Sequence, residues 1–474
     1  MNTLRVLNME NLNHIENEIL KYWEENQIYK KVKQKASKKK FFFCDGPPYA
    51  TGEIHPGTAW NKTLKDCILR YYRANGYEVN DKPGFDTHGL PIEVKVEKEL
   101  GIEDKSQIDE YGIENFIKKC KEFATKYIGI ISNQFKRCGV WMDWDNPYIT
   151  YENYYIQSIW KTIKAAEQKG LLKQGEYVVP YSPDSQTTLA NYELEYHDRT
   201  DPSIYVRFRL AGKENEYFLI WTTTPWTLIA NKAIMVHPLF QYIKVKVGDS
   251  YYYIAKEREI ILNQIFDEPY EIVSTTTGKK LEGISYLHPL QQNIGYEFDR
   301  KIILSDQFVT LEEGTGLVHT APGHGPEDFK ACKAYKIEPF CPVDLKGVYT
   351  KEAGKYHGLK VLEANKIIIE DLKKADALVY QTTITHRYPY DWRKKTPLIY
   401  ITTKQWFISI SELKEKMLHE IDNNINFHPD FAKTRFRDFV SSAPDWCISR
   451  QRYWGTPLPI WVCENCSSYK VIGS

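Results

Sequence analysis

Four stretches of this 474-residue chain combine residue types and spacings that could do chemistry. The first is Asp45-Gly46-Pro47-Pro48-Tyr49, followed by His55-Pro56-Gly57-Thr58. A histidine beside a proline at a helix start sits where free backbone N–H groups and the helix dipole favour anions, so its imidazole can hydrogen-bond phosphate oxygens. Rigid prolines in the same loop suit a shaped pocket. The second is Gly84-Phe85-Asp86-Thr87-His88-Gly89-Leu90-Pro91, whose carboxylate is either an acceptor for an ammonium group or a turn and cap residue. The third is Trp221-Thr222-Thr223-Thr224-Pro225-Trp226-Thr227, ended by Asn231. Strand threonines are ordinarily β formers. Four of them with two tryptophans, facing Thr315-Gly316-Leu317-Val318-His319 and Asp328, look instead like a polar pocket. There hydroxyls would orient a water and a ribose, His319 would handle a proton and Asp328 would accept an ammonium. The fourth is Cys463-Glu-Asn-Cys466, which keeps the spacing of a metal-binding pair but is half a site.

The elements that must hold these residues are legible from periodicity. Leu12, Ile15, Ile19 and Trp23 predict an amphipathic helix running from after Asn11 to about Tyr29. The lysine run from Lys30 through Lys38, Lys39 and Lys40 is either a solvated linker or a phosphate-backbone contact. Phe41, Phe42, Phe43 and Cys44 are too short a run for a helix and predict a buried strand. Past the loop, Trp60, Leu64, Ile68 and Tyr71 mark one face of a helix that stops at Gly76. Strand, glycine-containing loop and helix in that order open a nucleotide-binding α/β domain. From about Leu194 to Thr385 the pattern changes to alternation, as in Ile204–Leu210 and Tyr242–Val247, with frequent turn signals. This predicts a β-rich domain inserted into the first one. Helix-and-loop texture returns after Trp406, and there is no internal repeat.

Composition bounds the class. About 150 residues per domain gives about three domains. Hydrophobic residues make up 42% and charged residues 26%, ordinary for a globular protein and incompatible with disorder or a collagen-like repeat. No apolar run approaches the roughly 18 residues of a membrane span, and the polar opening is unlike a targeting peptide. The nine cysteines are too widely spaced for a disulfide framework, which fits a reducing, cytoplasmic compartment. A net charge of +1 gives no global basic footprint, so a polyanion must be held by local patches.

The motifs together resemble the class I aminoacyl-tRNA synthetases, and most specifically isoleucyl-tRNA synthetases of archaeal or eukaryotic-like form. His55-Pro-Gly-Thr resembles their HIGH signature. Gly84-Phe-Asp-Thr-His-Gly-Leu-Pro-Ile-Glu93, Trp221-Thr-Thr-Thr-Pro-Trp-Thr and Ser449-Arg-Gln-Arg-Tyr-Trp-Gly-Thr-Pro-Leu-Pro-Ile-Trp461 carry the rest of the likeness, over essentially the whole chain. The valyl relatives typically have Asp-His-Ala-Gly where this chain has Asp86-Thr-His-Gly, and the leucyl relatives Ala-Phe-Gly-Leu-Pro. Valyl specificity, a different nucleotidyl transferase and a tRNA-binding module that charges nothing are the rivals.

The resemblance implies a Rossmann-type α/β catalytic fold, a split parallel sheet with an inserted β-rich editing domain. Its segments would be an N-terminal helical extension over 1–40, the first catalytic half over 41–190, the editing insert over 191–385 and the second catalytic part over 386–474. His55, Gly57 and Thr58 would meet the phosphates of ATP brought with Mg2+, Thr58 replacing the usual second histidine, and Asp438 would contact adenosine. Pro47, Trp406 and Trp446 would wall the isoleucine side chain, with Asp86 taking its amino group. Thr222, Thr223, Thr224, Thr227, Asn231, His319 and Asp328 would form the editing site. Such a site has a physical reason. Valine lacks one methylene of isoleucine, worth only about 1–3 kcal/mol in an apolar pocket, a magnitude established on this very pair.

The zinc knuckle of some bacterial relatives would fall on Ser182, Ser185, Asp391 and Lys394, which cannot bind zinc. Cys463 and Cys466 would hold zinc only if residues beyond Ser474 completed the site. The Lys-Met-Ser-Lys-Ser loop and a helical anticodon-binding domain are nowhere in the chain, and Lys404 and Lys433 are not in that context. The chain therefore reads as an N-terminal portion that charges little tRNA by itself. Isoleucine tRNA, isoleucine and ATP are the expected partners of a cytoplasmic monomer without a membrane attachment.

Overall fold

The computed structural model describes residues 9–34, 39–466 and 468–474. Residues 1–8 of the polar opening and 35–38 of the lysine run, Lys38 included, lie outside the described residues. Packing divides the chain into two units, residues 1–170 with 452–474 and residues 171–451. Among the described residues no helix is long and apolar enough to cross a membrane, and the nine cysteines are all unpaired.

In the first unit the expected N-terminal helix is two helices, Met9–Glu25 and Ile28–Lys33, because Gln27 takes a left-handed conformation (φ 48°) that a helix cannot continue through. Trp23 anchors the first helix edge-on against Trp141, with ring centroids 5.0 Å apart. Strand Lys39–Phe42 and strand Tyr77–Asn80 pair in parallel across helix Pro56–Ala74, the expected strand–loop–helix opening. Two expectations need correction here. The strand starts at Lys39, and Phe42 is 73% exposed rather than buried, since the sheet has only these two strands among the described residues. Phe41 instead stacks on Tyr72 at 3.7 Å.

The face of helix Pro56–Ala74 is also reversed. Trp60, Leu64, Ile68 and Tyr71 are exposed, whereas Lys62, Asp66 and Leu69 are buried. Charges can turn inward there because each has a partner. Lys62 pairs with the buried Asp45, and Asp66 accepts from Arg70 Nε at 2.6 Å and from the Trp141 N–H at 2.9 Å.

The second unit is built around paired ribbons that lead into a large sheet. Strands Leu172–Ser182 and Ile399–Ile408 run antiparallel, from Leu172 opposite Ile408 to Tyr181 opposite Ile399. Beyond them Leu194–Leu210 pairs with Leu378–Asp391, beginning at Leu194 opposite Asp391. These feed a mixed sheet of ten strands. The alternation expected over Ile204–Leu210 is present, but both faces are used. Ile204, Val206, Phe208 and Leu210 enter one core, while Tyr205 joins a second on the opposite face with Ile243, Val245 and Ile254. Helix Val361–Lys374 seals the first core with Ile368 and Leu372. Helices Lys414–Asn423 and Phe431–Ser442 supply the texture expected after Trp406.

Candidate functional site

The best-formed site lies in the second unit, where three short segments are brought together by strand pairing. Strand Leu317–Thr320 lies between Glu216–Thr222 and Ala233–Val236, with Val318 opposite Trp221 and His319 opposite Ile234. Pro225 then turns the chain into the 3-10 segment Pro225–Ala230, and helix Pro326–Ala334 starts with proline in its first turn. The result is a cavity of about 370 Å³ lined by Thr222, Thr223, Thr224, Thr227, His319 and Asp328, together with Trp221, Thr315 and His324. Six of the seven residues expected in a threonine-rich pocket thus share one cleft.

The seventh, Asn231, is not in that lining. It is fully buried behind His319 and decides what His319 can do. Its Nδ2 donates to Ala233 O at 2.9 Å and also lies 2.8 Å from His319 Nδ1, while its Oδ1 accepts from the Tyr286 hydroxyl at 2.7 Å. The imidazole Nδ1 must therefore accept, and Nε2 carries the hydrogen. That Nε2 donates to Thr227 Oγ1 at 3.1 Å, whose own hydrogen goes to Thr224 O at 2.8 Å. Burial holds the His319 pKa down to about 3. The ring is neutral with both nitrogens engaged, so this geometry suits fixing Thr227 rather than moving a proton.

Asp328 sits in the first turn of its helix, and its Oδ2 accepts from the Ala321 N–H at 2.8 Å. Burial pushes its carboxyl up to about 7. An ammonium entering the cleft would favour the ionised form and gain a charge-assisted contact. Gly325 is required for this placement, because a Cβ there would come within 2.5 Å of Asp328 Oδ2. The hydroxyls are preordered too. Thr222 Oγ1 accepts from the Thr224 N–H at 3.1 Å, and Thr224 Oγ1 lies 3.2 Å from Thr227 Oγ1.

The first unit holds the other two motifs. His55 caps helix Pro56–Ala74, its Nδ1 accepting from the Thr58 N–H at 3.3 Å. This leaves Nε2–H as a donor toward an anion, and Thr58 contributes its backbone to the arrangement. A Cβ on Gly57 would stand 3.1 Å from the His55 ring, so glycine lets the ring fold back over its own helix. Asp86 lies beside the proline loop, since its N–H donates to Pro48 O and its carbonyl accepts from Ala50 N–H, both at 2.9 Å. Pro47 precedes this bridge. Burial raises the Asp86 carboxyl to about 6, and burial lowers His88 to about 4. Asp45 anchors the loop by accepting from Lys62, from Lys65 Nζ at 2.9 Å and from the Gly84 N–H at 3.1 Å. Sequence reasoning passed over Lys62 and Lys65, although two lysines three apart behind an acidic loop were a usable signal.

Trp406 and Trp446 belong to the four-stranded sheet of the second unit. Trp446 lies opposite Ile408, two residues from Trp406, so both tryptophans point to the same face as diagonal neighbours. Trp406 is buried and Trp446 is 55% exposed. Asp438 is exposed on helix Phe431–Ser442, where its carbonyl accepts from Ser442 Oγ at 2.9 Å. Cys463 and Cys466 are exposed at a hairpin, and Cys466 Sγ lies 3.0 Å from Ser468 Oγ. Among the described residues no group of three or more metal-ligating side chains gathers there or elsewhere. At the positions compared with a zinc knuckle, Ser182 and Ser185 instead donate to Asp391.

The model of the family described as tRNA synthetases class I (I, L, M and V) matches residues 18–473. The chain belongs to the class I tRNA synthetases. Its α/β fold, with parallel strand pairs in one unit and a large sheet in the other, is that of the class. Among curated relatives, the isoleucine–tRNA ligase of Archaeoglobus fulgidus is 50% identical over 468 residues, covering 97% of this chain and 46% of the relative. Those of Methanothermobacter marburgensis and Pyrococcus abyssi are 48% and 49% identical, each over 97% of this chain and 44% of the relative. The chain thus spans less than half the length of these relatives. A solved ternary complex of an Agrobacterium radiobacter K84 LeuRS with tRNA and LeuAMS has a TM-score of 0.38 and 17% identity, covering 97% of this chain and 52% of that one.

Proposed function

We propose that this class I synthetase chain is the N-terminal portion of an isoleucine–tRNA ligase, and that its second unit removes valine misattached to isoleucine tRNA. The likeness to three isoleucine–tRNA ligases at 48–50% identity supports the specificity. The observation that carries the editing reading is the cleft in which four threonines, His319 and Asp328 converge. There Asp328 takes the ammonium of the misattached amino acid, Thr222 and Thr224 meet ester or ribose oxygens, and Asn231 and His319 hold Thr227 in register. On the same reading residues 191–385 are the editing insert, between catalytic segments 41–190 and 386–474 and after the helical extension 1–40.

In the complete enzyme, isoleucine carboxylate attacks the α-phosphate of ATP, giving the adenylate and pyrophosphate, and the isoleucyl group then passes to the terminal ribose of the tRNA. Magnesium enters as the ATP complex, a substrate. No covalent enzyme intermediate is needed, so positioning and electrostatic stabilisation supply the rate. His55 with Gly57 and Thr58 meets phosphate, Asp86 takes the amino group, Pro47, Trp406 and Trp446 wall the side chain and Asp438 meets adenosine. The protein works as a cytoplasmic monomer on isoleucine tRNA, and Cys463 with Cys466 binds zinc only where further ligands are supplied.

The test is hydrolysis of three esters by the 474-residue chain: valine on isoleucine tRNA, isoleucine on isoleucine tRNA and threonine on valine tRNA. Selective clearance of the first, lost in Asp328→Ala, is the expected result. Clearance of the threonyl ester would move the chain to the valyl branch, and no loss in Asp328→Ala would sink the site.

A further inference from the structure

Two buried ring nitrogens beside the threonine cleft meet no protein partner among the described residues: Trp226 Nε1 and His324 Nε2. Trp226 is 3% exposed and His324 6%. Their rings meet edge-on, with centroids 4.7 Å apart at 71°. His324 also lines the cleft that holds Asp328 and the threonines.

The hydrogen bonding of His324 fixes its tautomer. Nδ1 lies 2.9 Å from the carbonyl of Tyr400, which can only accept, so Nδ1 carries the hydrogen and Nε2 the free lone pair. Burial holds the ring down to about 4, which keeps it neutral near pH 7. The indole N–H beside it can only donate. The Nε2 lone pair needs a donor and the indole N–H an acceptor, and a single group that does both would serve the two rings. An ammonium only donates and an ionised carboxylate only accepts. A water does both, and a polar site with such partners is where one is held.

Resting on the deacylation reading above, we propose that His324 is the positioning residue that seats the hydrolytic water of the cleft, the water donating to Nε2. His319 cannot do this, since both its nitrogens are engaged by Asn231 and Thr227. The water keeps a lone pair for the ester carbonyl carbon. Its oxygen forms the new C–O bond, the bond to the ribose oxygen breaks, and one water hydrogen ends on that ribose oxygen. The other stays on the freed carboxyl, which ionises to solvent. His324 orients the water throughout and keeps no proton.

Two variants separate this role from a structural one. His324→Asn keeps a donor where Nδ1 reaches Tyr400 but has no acceptor at the Nε2 position, and His324→Gln returns an acceptor near it. With valine-charged isoleucine tRNA as substrate, His324→Asn should lower kcat roughly 10²-fold with KM unchanged, and His324→Gln should recover part of the loss. A crystal structure of the wild-type chain should contain an ordered water within hydrogen-bond distance of Nε2, absent in His324→Asn. Wild-type kcat in His324→Asn, or a crystal structure with Nε2 closed against a protein donor, would overturn the proposal. If the wild-type chain hydrolyses none of the esters, the deacylation reading fails, and the crystallographic water still decides the seat.

Discussion

Ser182 and Asp391 lie 209 residues apart in the chain and meet where the ribbons open into the large sheet, Ser182 Oγ donating to Asp391 Oδ2 at 2.8 Å. Ser185 Oγ donates to the same oxygen at 2.6 Å, and the N–H groups of Arg393 and Lys394 reach Oδ1 at 2.8 and 3.3 Å. One buried carboxylate thus ties the end of strand Leu172–Ser182 to the end of strand Leu378–Asp391, through four donors and no metal ligand set.

Asp391→Ala should therefore loosen this junction. It strands two buried hydroxyls, each costing about 1–3 kcal/mol when left unpaired, so a loss of roughly 3 kcal/mol is expected by denaturant unfolding. Chelator should leave the wild-type midpoint in place. A midpoint that falls on adding chelator would show that a metal, not this carboxylate, holds the junction.

Asn231→Ala removes the donor that fixes the His319 tautomer and the acceptor of the fully buried Tyr286 hydroxyl. We expect about 1–3 kcal/mol of destabilisation together with a lower deacylation rate. Nitrogen NMR of the His319 ring reads the cause directly, because the Nε2–H tautomer should no longer be the sole form. An unchanged tautomer would show that something other than Asn231 sets it.

Gly325→Ala tests whether the Asp328 carboxylate needs its place. The new methyl comes within 2.5 Å of Oδ2 and 2.6 Å of Cγ, so the side chain must leave its bond to the Ala321 N–H. Backbone strain is not the cause, since φ is −113°. Deacylation by this variant should fall as far as in Asp328→Ala, and wild-type activity would show that the carboxylate tolerates displacement.

The Asp328 carboxyl is raised by burial from 3.8 to about 7. The folded chain then holds a proton that the unfolded chain releases between those values, so this group's contribution to stability falls as pH rises through that window. Function runs the other way. On the proposed editing role the ionised form takes the ammonium, so deacylation should climb as pH passes about 7, and Asp328→Asn should flatten that rising limb. A limb that survives in the variant belongs to another group.

His319 and His324 have the opposite linkage. Burial holds them near 3 and 4, below the ordinary 6.5, so only the unfolded chain protonates as pH falls from 6.5. Stability present above pH 6.5 should drain away toward pH 4. A His324→Asn chain should show a shallower acid slope in denaturant titrations, and an equal slope would mean that His324 titrates in the folded state.

The motif loops, the change of texture near Leu194 and the family itself were present in the sequence, because they rest on local residue order and period. His55 as a helix cap beside Gly57 is such a feature, since cap and capped N–H are three residues apart. What only the tertiary structure decided are relationships across distance. Asn231 stands behind the cleft because its partner His319 is 88 residues away, and His324 owes its tautomer to Tyr400, 76 residues on. The apolar stripe of helix Pro56–Ala74 faces outward because Lys62 finds Asp45 on another segment. Periodicity says that a helix has two faces. Which one is buried, and which nitrogen of a histidine carries its hydrogen, depends on partners that sequence spacing does not encode.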